Sequence, residues 1–247
     1  MPSQTLGDPV GILVKTSLVD FPGRVAATVF LKGCQLRCPY CYNRPLVEED
    51  ALKKEANAVT LEDIFLHLEK RKNVLTGLAV SGGEPLLNKN LVPLIKKAKS
   101  LGLKVKLDTN GLLPNKLEEL CADSQTCPDY IAMDIKTSPE KYALLQNGNT
   151  SKAENFKNLL LQSIEVLKKF PPNKREWRTV LVPPLVQKEE IKIMASMLPK
   201  DAQWYFAQFQ NRLCLNESYN SIPPYTDSQM QELLLEAKAI IPGSQLR

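Results

Sequence analysis

The chain alternates short β-rich segments with amphipathic helical segments, and this order limits the folds open to it. We predict six strands, at 24–31, 75–80, 104–107, 130–135, 177–182 and 203–209. The predicted helices lie between and after them, at 60–72, 90–100, 113–122, 154–170, 187–198 and 228–240. Repeated strand–helix units predict an α/β fold whose parallel sheet curls into a partial (β/α)6 TIM-like barrel.

The length and composition fit one globular domain. The chain has 247 residues, of which 43% are hydrophobic and 24% charged, which is ordinary for a soluble protein. Its apolar runs fall well short of the roughly 20 residues that cross a bilayer, so we expect no membrane association. Residues 1–7 lack the basic and apolar regions of a signal peptide. We therefore expect a single domain over residues 1–247 in the reducing cytoplasm.

The charge of the chain does not indicate a nucleic-acid partner. The net charge is +5, from 32 basic and 27 acidic residues spread along the sequence. A nucleic-acid-binding surface would show a basic stripe interleaved with aromatic residues, and the sequence has none. We therefore expect partners of another kind.

Three cysteines, Cys34, Cys38 and Cys41, follow the first predicted strand with the spacing C-x3-C-x2-C. Cysteine thiolates hold iron–sulfur clusters, and a cubane of four irons normally takes four of them. Three ligands leave one iron open, and an open position distinguishes a reactive metal site from a closed structural one. The spacing therefore favours a reactive [4Fe–4S] cluster.

These cysteines fit a disulfide framework or a structural zinc site less well. A disulfide framework is unexpected because the six cysteines of this long chain have no regular spacing. A structural zinc site needs a fourth ligand, and the one histidine, His67, lies in a predicted helix. The remaining cysteines are dispersed and fit small buried hydrophobic residues: Cys121, Cys127 and Cys214.

Polar residues lie at the ends of the later predicted strands. Gly82-Gly83-Glu84-Pro85 comes after the second strand, and paired glycines let a backbone approach a ligand closely. Further strand-end positions carry Asp108, Thr109, Asp134, Lys136 and Arg178. Each of these alone also fits an ordinary turn or a local ion pair. Because the carboxyl ends of parallel strands build the active site in such folds, we predict that they share one site.

The cysteine spacing followed by Gly82-Gly83-Glu84-Pro85 resembles the radical S-adenosylmethionine (SAM) enzymes. Other segments resemble the activating enzymes of glycyl radical proteins, above all those of anaerobic ribonucleotide reductases: 14–24, 41–43, 108–111, 133–136, 178–183 and 204–209. The likeness covers residues 11–210, taken as the core, and leaves a C-terminal helix at 228–240. One departure is Tyr42, where activating enzymes usually carry histidine.

The resemblance implies a role for each matching residue. Cys34, Cys38 and Cys41 would hold a [4Fe–4S] cluster whose open iron binds SAM. The SAM contacts would be Tyr40 near the adenine, Gly82, Gly83 and Glu84 at the methionine end, and Asp108, Thr109, Asp134, Lys136 and Arg178 near the carboxylate. The two aspartates and the threonine would gather a monovalent cation there, since oxygen donors suit hard cations. No protein group beyond the cluster and SAM is expected to react.

The reaction that the resemblance implies is one-electron cleavage of SAM to methionine and a 5′-deoxyadenosyl radical, which abstracts hydrogen from a glycine Cα. The expected partners are a glycyl radical enzyme, such as anaerobic ribonucleotide reductase, and an electron donor such as flavodoxin or ferredoxin. Two alternatives stay open. One is a radical SAM enzyme acting on another glycyl radical protein, a peptide or a small molecule; the other is a zinc- or cluster-bearing binding module without catalysis.

Overall fold

A computed structural model describes residues 7–48, 50–146 and 153–247. In this part the chain forms the strands β1 (Gly11–Ser17), β2 (Ala26–Leu31), β3 (Ala58–Val59), β4 (Gly77–Gly82), β5 (Lys104–Thr109), β6 (Tyr130–Asp134), β7 (Arg175–Leu181), β8 (Trp204–Gln208) and β9 (Ser244–Leu246). Its α-helices are α1 (Arg44–Val47), α2 (Leu61–Arg71), α3 (Leu91–Ser100), α4 (Pro114–Ala122), α5 (Ala153–Lys168), α6 (Lys188–Met197) and α7 (Asp227–Lys238). The predicted alternation, and with it the α/β fold class, is confirmed.

The bounds of β4 and β5 differ from the sequence prediction in a way that matters for the site. Both strands continue two residues further than predicted, so Gly82, Asp108 and Thr109 belong to the strands and do not follow them. The segment 51–59 is a largely exposed connection with a single buried side chain. Leu52 is buried there, and the segment ends in the short strand β3.

Contacts between residues divide the chain into two compact units. The first consists of Met1–Gln35, Asn43–Thr109 and Lys116–Ile131. Its strands follow the order β3-β1-β2-β4-β5. The neighbours β2, β4 and β5 are parallel, whereas β1 is antiparallel to both β2 and β3. The parallel strands are those that the sequence predicts, and the antiparallel edge was not predicted.

Helices α2 and α3 of the first unit show why the sequence folds as it does locally. The Thr60 hydroxyl accepts a hydrogen bond from the Asp63 amide at 3.2 Å, and the Asp63 carboxylate accepts one from the Thr60 amide at 2.9 Å, so the predicted capping box is present. Gly102 has φ +76°, which lets the chain leave α3. Helix α3 packs against β4, β5 and α2.

The second unit consists of Leu36–Tyr42, Asn110–Asn115 and Ala132–Arg247. Its strands follow the order β6-β7-β8-β9, and β7, β8 and β9 are parallel. Trp177 and Trp204 are paired on β7 and β8, and both are fully buried. The Trp204 indole donates a hydrogen bond of 3.0 Å to Thr179 Oγ1 inside this core. A single domain over residues 1–247 stays a prediction.

Among residues 7–48, 50–146 and 153–247, no helix is both long and apolar enough to cross a membrane. The expectation about a signal peptide concerns mainly residues 1–6, which lie outside the described residues.

Candidate functional site

In the first unit, the paired glycines lie against the backbone that leads into the cysteines. Gly82 is paired with Leu31 across parallel strands β4 and β2. The amides of Gly83 and Glu84 donate hydrogen bonds of 2.9 and 2.7 Å to the carbonyls of Leu31 and Gly33. A Cβ atom on Gly82 would lie 2.2 Å from the Leu31 carbonyl oxygen. Glycine is therefore required here by the packing of the chain itself, in addition to any ligand.

Glu84 is a buried carboxylate whose hydrogen-bond partners lie in the same unit. Its Oε1 accepts hydrogen bonds from the Leu86 amide at 3.1 Å and from the Thr109 hydroxyl at 2.9 Å. Glu84 is 0% exposed and Thr109 is also buried. The structure thus brings two of the predicted SAM contacts together, and it fixes the turn after β4 to the end of β5.

Lys106 is a residue of this region that the sequence analysis missed. Its ammonium pairs with the carboxylate of Asp108, and the side chain of Lys106 is only 2% exposed. The sequence could have indicated this pair, because Lys106 and Asp108 are residues i and i+2 of one strand and such residues share a face. Asp108 was predicted to help gather a monovalent cation, and the structure pairs it with the ammonium of Lys106. The alkali cation stays a prediction, with Lys106 as its competitor.

In the second unit, the later part of the cysteine motif forms a tight turn. The Cys41 amide donates a hydrogen bond of 2.9 Å to the Cys38 carbonyl. The amides of Leu215 and Asn216 donate bonds of 2.8 and 2.9 Å to the carbonyls of Cys41 and Pro39. Cys38 is buried and Cys41 is half-buried. The turn is therefore held in place by a segment far along the chain.

Two tyrosines of this turn differ in exposure. Tyr40 is buried and packs edge-on against Phe209, with ring centroids 6.4 Å apart. Burial raises the pKa of the Tyr40 hydroxyl well above its ordinary value. Tyr42, which stands where activating enzymes usually carry histidine, is 66% exposed. Tyr40 thus offers a rigid aromatic wall, and its place near the adenine stays a prediction.

Asp134, at the end of β6, is paired with two cations of the second unit. Arg178 Nε donates to its Oδ1 at 2.8 Å, and Lys136 Nζ lies 3.3 Å from its Oδ2. Burial alone would lower the pKa of Lys136, but the Asp134 carboxylate opposes this and the pKa is raised well above its ordinary value. Arg178 lies in the middle of β7, so its predicted place at a strand end was wrong. The three residues are nevertheless brought together.

The cysteines have the chemistry that an iron–sulfur cluster requires. All six in the chain are thiols, with no disulfide. In the described part of the chain, no three cysteine, histidine or carboxylate side chains are gathered as a metal site. Ligation by Cys34, Cys38 and Cys41 stays a prediction from their spacing, and it fits the donors that such clusters take.

The sequence profile of the Radical SAM superfamily matches residues 28–197. Because the match covers more than half of the chain, this protein belongs to the Radical SAM superfamily, whose members use a [4Fe–4S] cluster and SAM.

Relatives narrow this assignment. A Methanocaldococcus jannaschii protein that carries the name of a glycyl-radical enzyme activating enzyme is 31% identical over 237 residues, covering 95% of this chain and 94% of that protein. The pyruvate formate-lyase-activating enzyme of Clostridium pasteurianum is 31% identical over 189 residues, covering 73% of this chain and 72% of that enzyme. Within the superfamily, the chain therefore belongs to the glycyl-radical enzyme activating enzymes.

Solved structures share the fold. QueE from Escherichia coli aligns with a TM-score of 0.57 at 14% identity, covering 96% of this chain and 92% of that chain. SuiB from Streptococcus suis, bound to S-adenosylmethionine, aligns with a TM-score of 0.57 at 17% identity. The alignment with SuiB covers 87% of this chain but only 47% of that one. At these identities the likeness concerns the fold, which is that of TIM-barrel-like radical SAM enzymes.

Proposed function

We propose that this chain generates a glycyl radical on anaerobic ribonucleotide reductase, with a [4Fe–4S] cluster held by Cys34, Cys38 and Cys41. When bound, the cluster and SAM supply one electron and a cleavable S–C5′ bond, from which the hydrogen-abstracting radical arises. Flavodoxin or ferredoxin would deliver the electron. A reducing, cytoplasmic setting is part of the proposal, since the ligand thiols must stay reduced.

The observation that carries the proposal is the contact of Gly83 with the start of the cysteine loop. A Cβ atom on Gly83 would lie 2.2 Å from the Gly33 carbonyl oxygen and 3.1 Å from Cys34 Cβ. One residue belongs to the motif assigned to SAM and the other to the motif assigned to the cluster. Their direct contact is what a shared cofactor site requires.

The charged residues would have distinct tasks toward SAM. The Glu84 carboxylate is already engaged by Leu86 and Thr109, so it holds the turn rigid while backbone groups of the turn bind the methionine amino group. Lys136 and Arg178 together place two positive charges against the single negative charge of Asp134. The excess positive charge would attract the SAM carboxylate.

Two glycyl radical enzymes are candidates for the protein partner. Anaerobic ribonucleotide reductase is supported by the order and the residues of the sequence segments at 14–24, 108–111 and 178–183. Pyruvate formate-lyase, or a protein like it, is the second candidate, because relatives from Clostridium pasteurianum and Streptococcus mutans are named as its activating enzymes. The same site would serve either partner, so only an assay with both distinguishes them.

The test is anaerobic reconstitution, reduction and addition of SAM with each candidate partner. We expect a glycyl radical doublet in the electron paramagnetic resonance spectrum of ribonucleotide reductase, with 5′-deoxyadenosine formed. A doublet that forms only on pyruvate formate-lyase would show that this enzyme, and not ribonucleotide reductase, is the partner. 5′-Deoxyadenosine without a glycyl radical on either protein would favour the peptide or small-molecule alternative. A protein that binds zinc and forms no 5′-deoxyadenosine would favour the binding module.

A pair of variants tests the assigned SAM contacts. Arg178→Gln removes a cation assigned to the SAM carboxylate, so we expect about tenfold weaker SAM binding with unchanged cluster absorbance. Arg71→Gln is the matched control, because Arg71 is exposed at the end of α2. Equal SAM affinity of both variants would remove Arg178 from the site.

A further inference from the structure

Two cysteines outside the cluster motif are brought together in the first unit. Helix α4 ends at Ala122, and the chain then turns back beside its last turn. The amides of Thr126 and Cys127 both donate to the Asp123 carbonyl, at 2.9 and 2.7 Å. The Thr126 hydroxyl donates to the Leu120 carbonyl at 2.7 Å. This turn places Cys127 against Cys121, whose thiol hydrogen-bonds to the Cys127 sulfur.

The surroundings of Cys127 favour its thiolate on balance, although the Cys127 thiol also lies 3.6 Å from the Pro128 carbonyl, a contact that suits the neutral form. The hydrogen bond from Cys121 stabilises the negative sulfur, burial opposes it, and the Lys99 ammonium assists while Asp129 opposes. Lys99 is held on the same turn by a hydrogen bond of 2.6 Å to the Ser124 carbonyl. The resulting pKa of Cys127 is about 7. A large share of this sulfur is therefore ionised at neutral pH, which makes it reactive.

Exposure to solvent distinguishes Cys121 and Cys127 from Cys214. Cys121 and Cys127 are both half-buried, so a small reagent can reach them. Cys214 is 0% exposed, and burial raises the pKa of its thiol. The chain therefore separates an inert buried cysteine from a reactive pair, and neither belongs to the cluster motif.

We propose that Cys121 and Cys127 form a second redox site, a dithiol that a low-molecular-weight disulfide such as glutathione disulfide converts to an intramolecular disulfide. The Cys127 thiolate attacks one sulfur of the reagent, forms a mixed disulfide and expels one small thiolate. Cys121 then loses its proton and attacks the Cys127 sulfur, expelling the second. Two protein thiols are oxidised, one reagent disulfide is reduced to two thiols, and the new bond ties the end of α4 to the turn before β6.

The test uses the anaerobic holoenzyme in glutathione buffers with a stepwise increasing disulfide fraction, followed by alkylation, tryptic digestion and mass spectrometry. Both cysteines fall in one tryptic peptide, residues 117–136, which contains no internal lysine or arginine. We expect this peptide to become two hydrogens lighter and resistant to alkylation while the cluster absorbance is unchanged. Two alkylated cysteines in the most oxidising buffer, or a stable glutathione adduct on Cys127, would overturn the proposal.

Two variants test whether the hydrogen bond from Cys121 lowers the pKa of Cys127, independently of disulfide formation. Cys121→Ser keeps a hydroxyl donor, so the alkylation of Cys127 should keep its midpoint near the wild-type pH. Cys121→Ala removes the donor, so that midpoint should rise toward the value of an ordinary thiol. Equal midpoints in the two variants would show that Cys121 does not activate Cys127. These readouts do not depend on SAM cleavage or on a partner protein.

Discussion

The carboxylates Asp108 and Asp134 are assigned to the same kind of task, yet they are neutralised differently. Asp108 is 14% exposed and pairs with Lys106, which is 2% exposed. Asp134 is 32% exposed and is shared by Lys136 and Arg178, which are 19% and 25% exposed. The first is a closed pair inside its unit. The second is an open group in contact with solvent.

The difference in exposure distinguishes a charge that stabilises the fold from charges that solvent or a ligand can reach. Breaking a largely buried pair lowers stability strongly, because the remaining charge is poorly hydrated and loses its nearest opposite charge. An exposed group exchanges protein partners for water or a ligand at a small cost. Lys136 and Arg178 are therefore more open to solvent than Lys106, which lies buried against Asp108.

Lys106→Met should produce the largest effect. It removes the buried ammonium that pairs with the Asp108 carboxylate, and we expect a loss of about 3–5 kcal/mol in the free energy of unfolding, measured by urea denaturation. The double variant Lys106→Met/Asp108→Leu should be more stable than the single one, since it also removes the carboxylate that Lys106 neutralises. Lys104→Met, on the exposed start of the same strand, is the control. Similar small losses in both single variants would contradict the closed pair.

Asp129→Asn should have an intermediate effect. Asp129 accepts hydrogen bonds from the Val105 amide at 2.9 Å and from Lys104 Nζ at 2.8 Å. Burial alone would raise the pKa of this carboxyl, but the two hydrogen bonds outweigh it and lower the pKa. We expect a loss of about 1–2 kcal/mol at neutral pH.

The pH dependence of that loss has a definite sign. A lowered folded-state pKa means that the Asp129 carboxylate stabilises the protein above the ordinary carboxyl pKa of about 4, and that this contribution disappears as the pH falls through the lowered value. Unfolding curves of wild type and Asp129→Asn should therefore converge in acid. A gap that widens in acid would show that the carboxylate is not the stabilising form.

Asp134→Asn should have the smallest effect on stability. Its partners are partly solvated, so we expect a loss below about 1 kcal/mol in urea denaturation. A loss as large as that of Lys106→Met would erase the distinction between the closed pair and the open group.

The sequence predicted the helices and most strands because hydrophobic periodicity and capping are local properties. All the predicted elements lie within two residues of observed ones. The strands β1, β3 and β9 were missed. Strands β3 and β9 have only two and three residues, and they exist through pairing with distant partners. Nothing within so short a segment can specify such a pairing.

The candidate site was predictable in its residue types and less so in its pairings. In Lys104-Val-Lys-Leu-Asp108, alternation suggests that all three charged residues face solvent, yet Lys104 is exposed and Lys106 is buried. Alternation of polar and apolar residues does not distinguish a solvent-exposed face of a sheet from one that the rest of the protein covers. The contact between Gly83 and Cys34 likewise depends on the parallel pairing of β2 and β4, which the sequence does not record.

The two hydrogen bonds that tether the cysteine turn connect residues far apart in the order of synthesis. The carbonyls of Pro39 and Cys41 meet the amides of Asn216 and Leu215, so their partners leave the ribosome only when most of the 247 residues have been made. Contacts of such long sequence separation form late. The turn that carries Cys38 and Cys41 thus acquires its final support only after residues 215 and 216 have been synthesised.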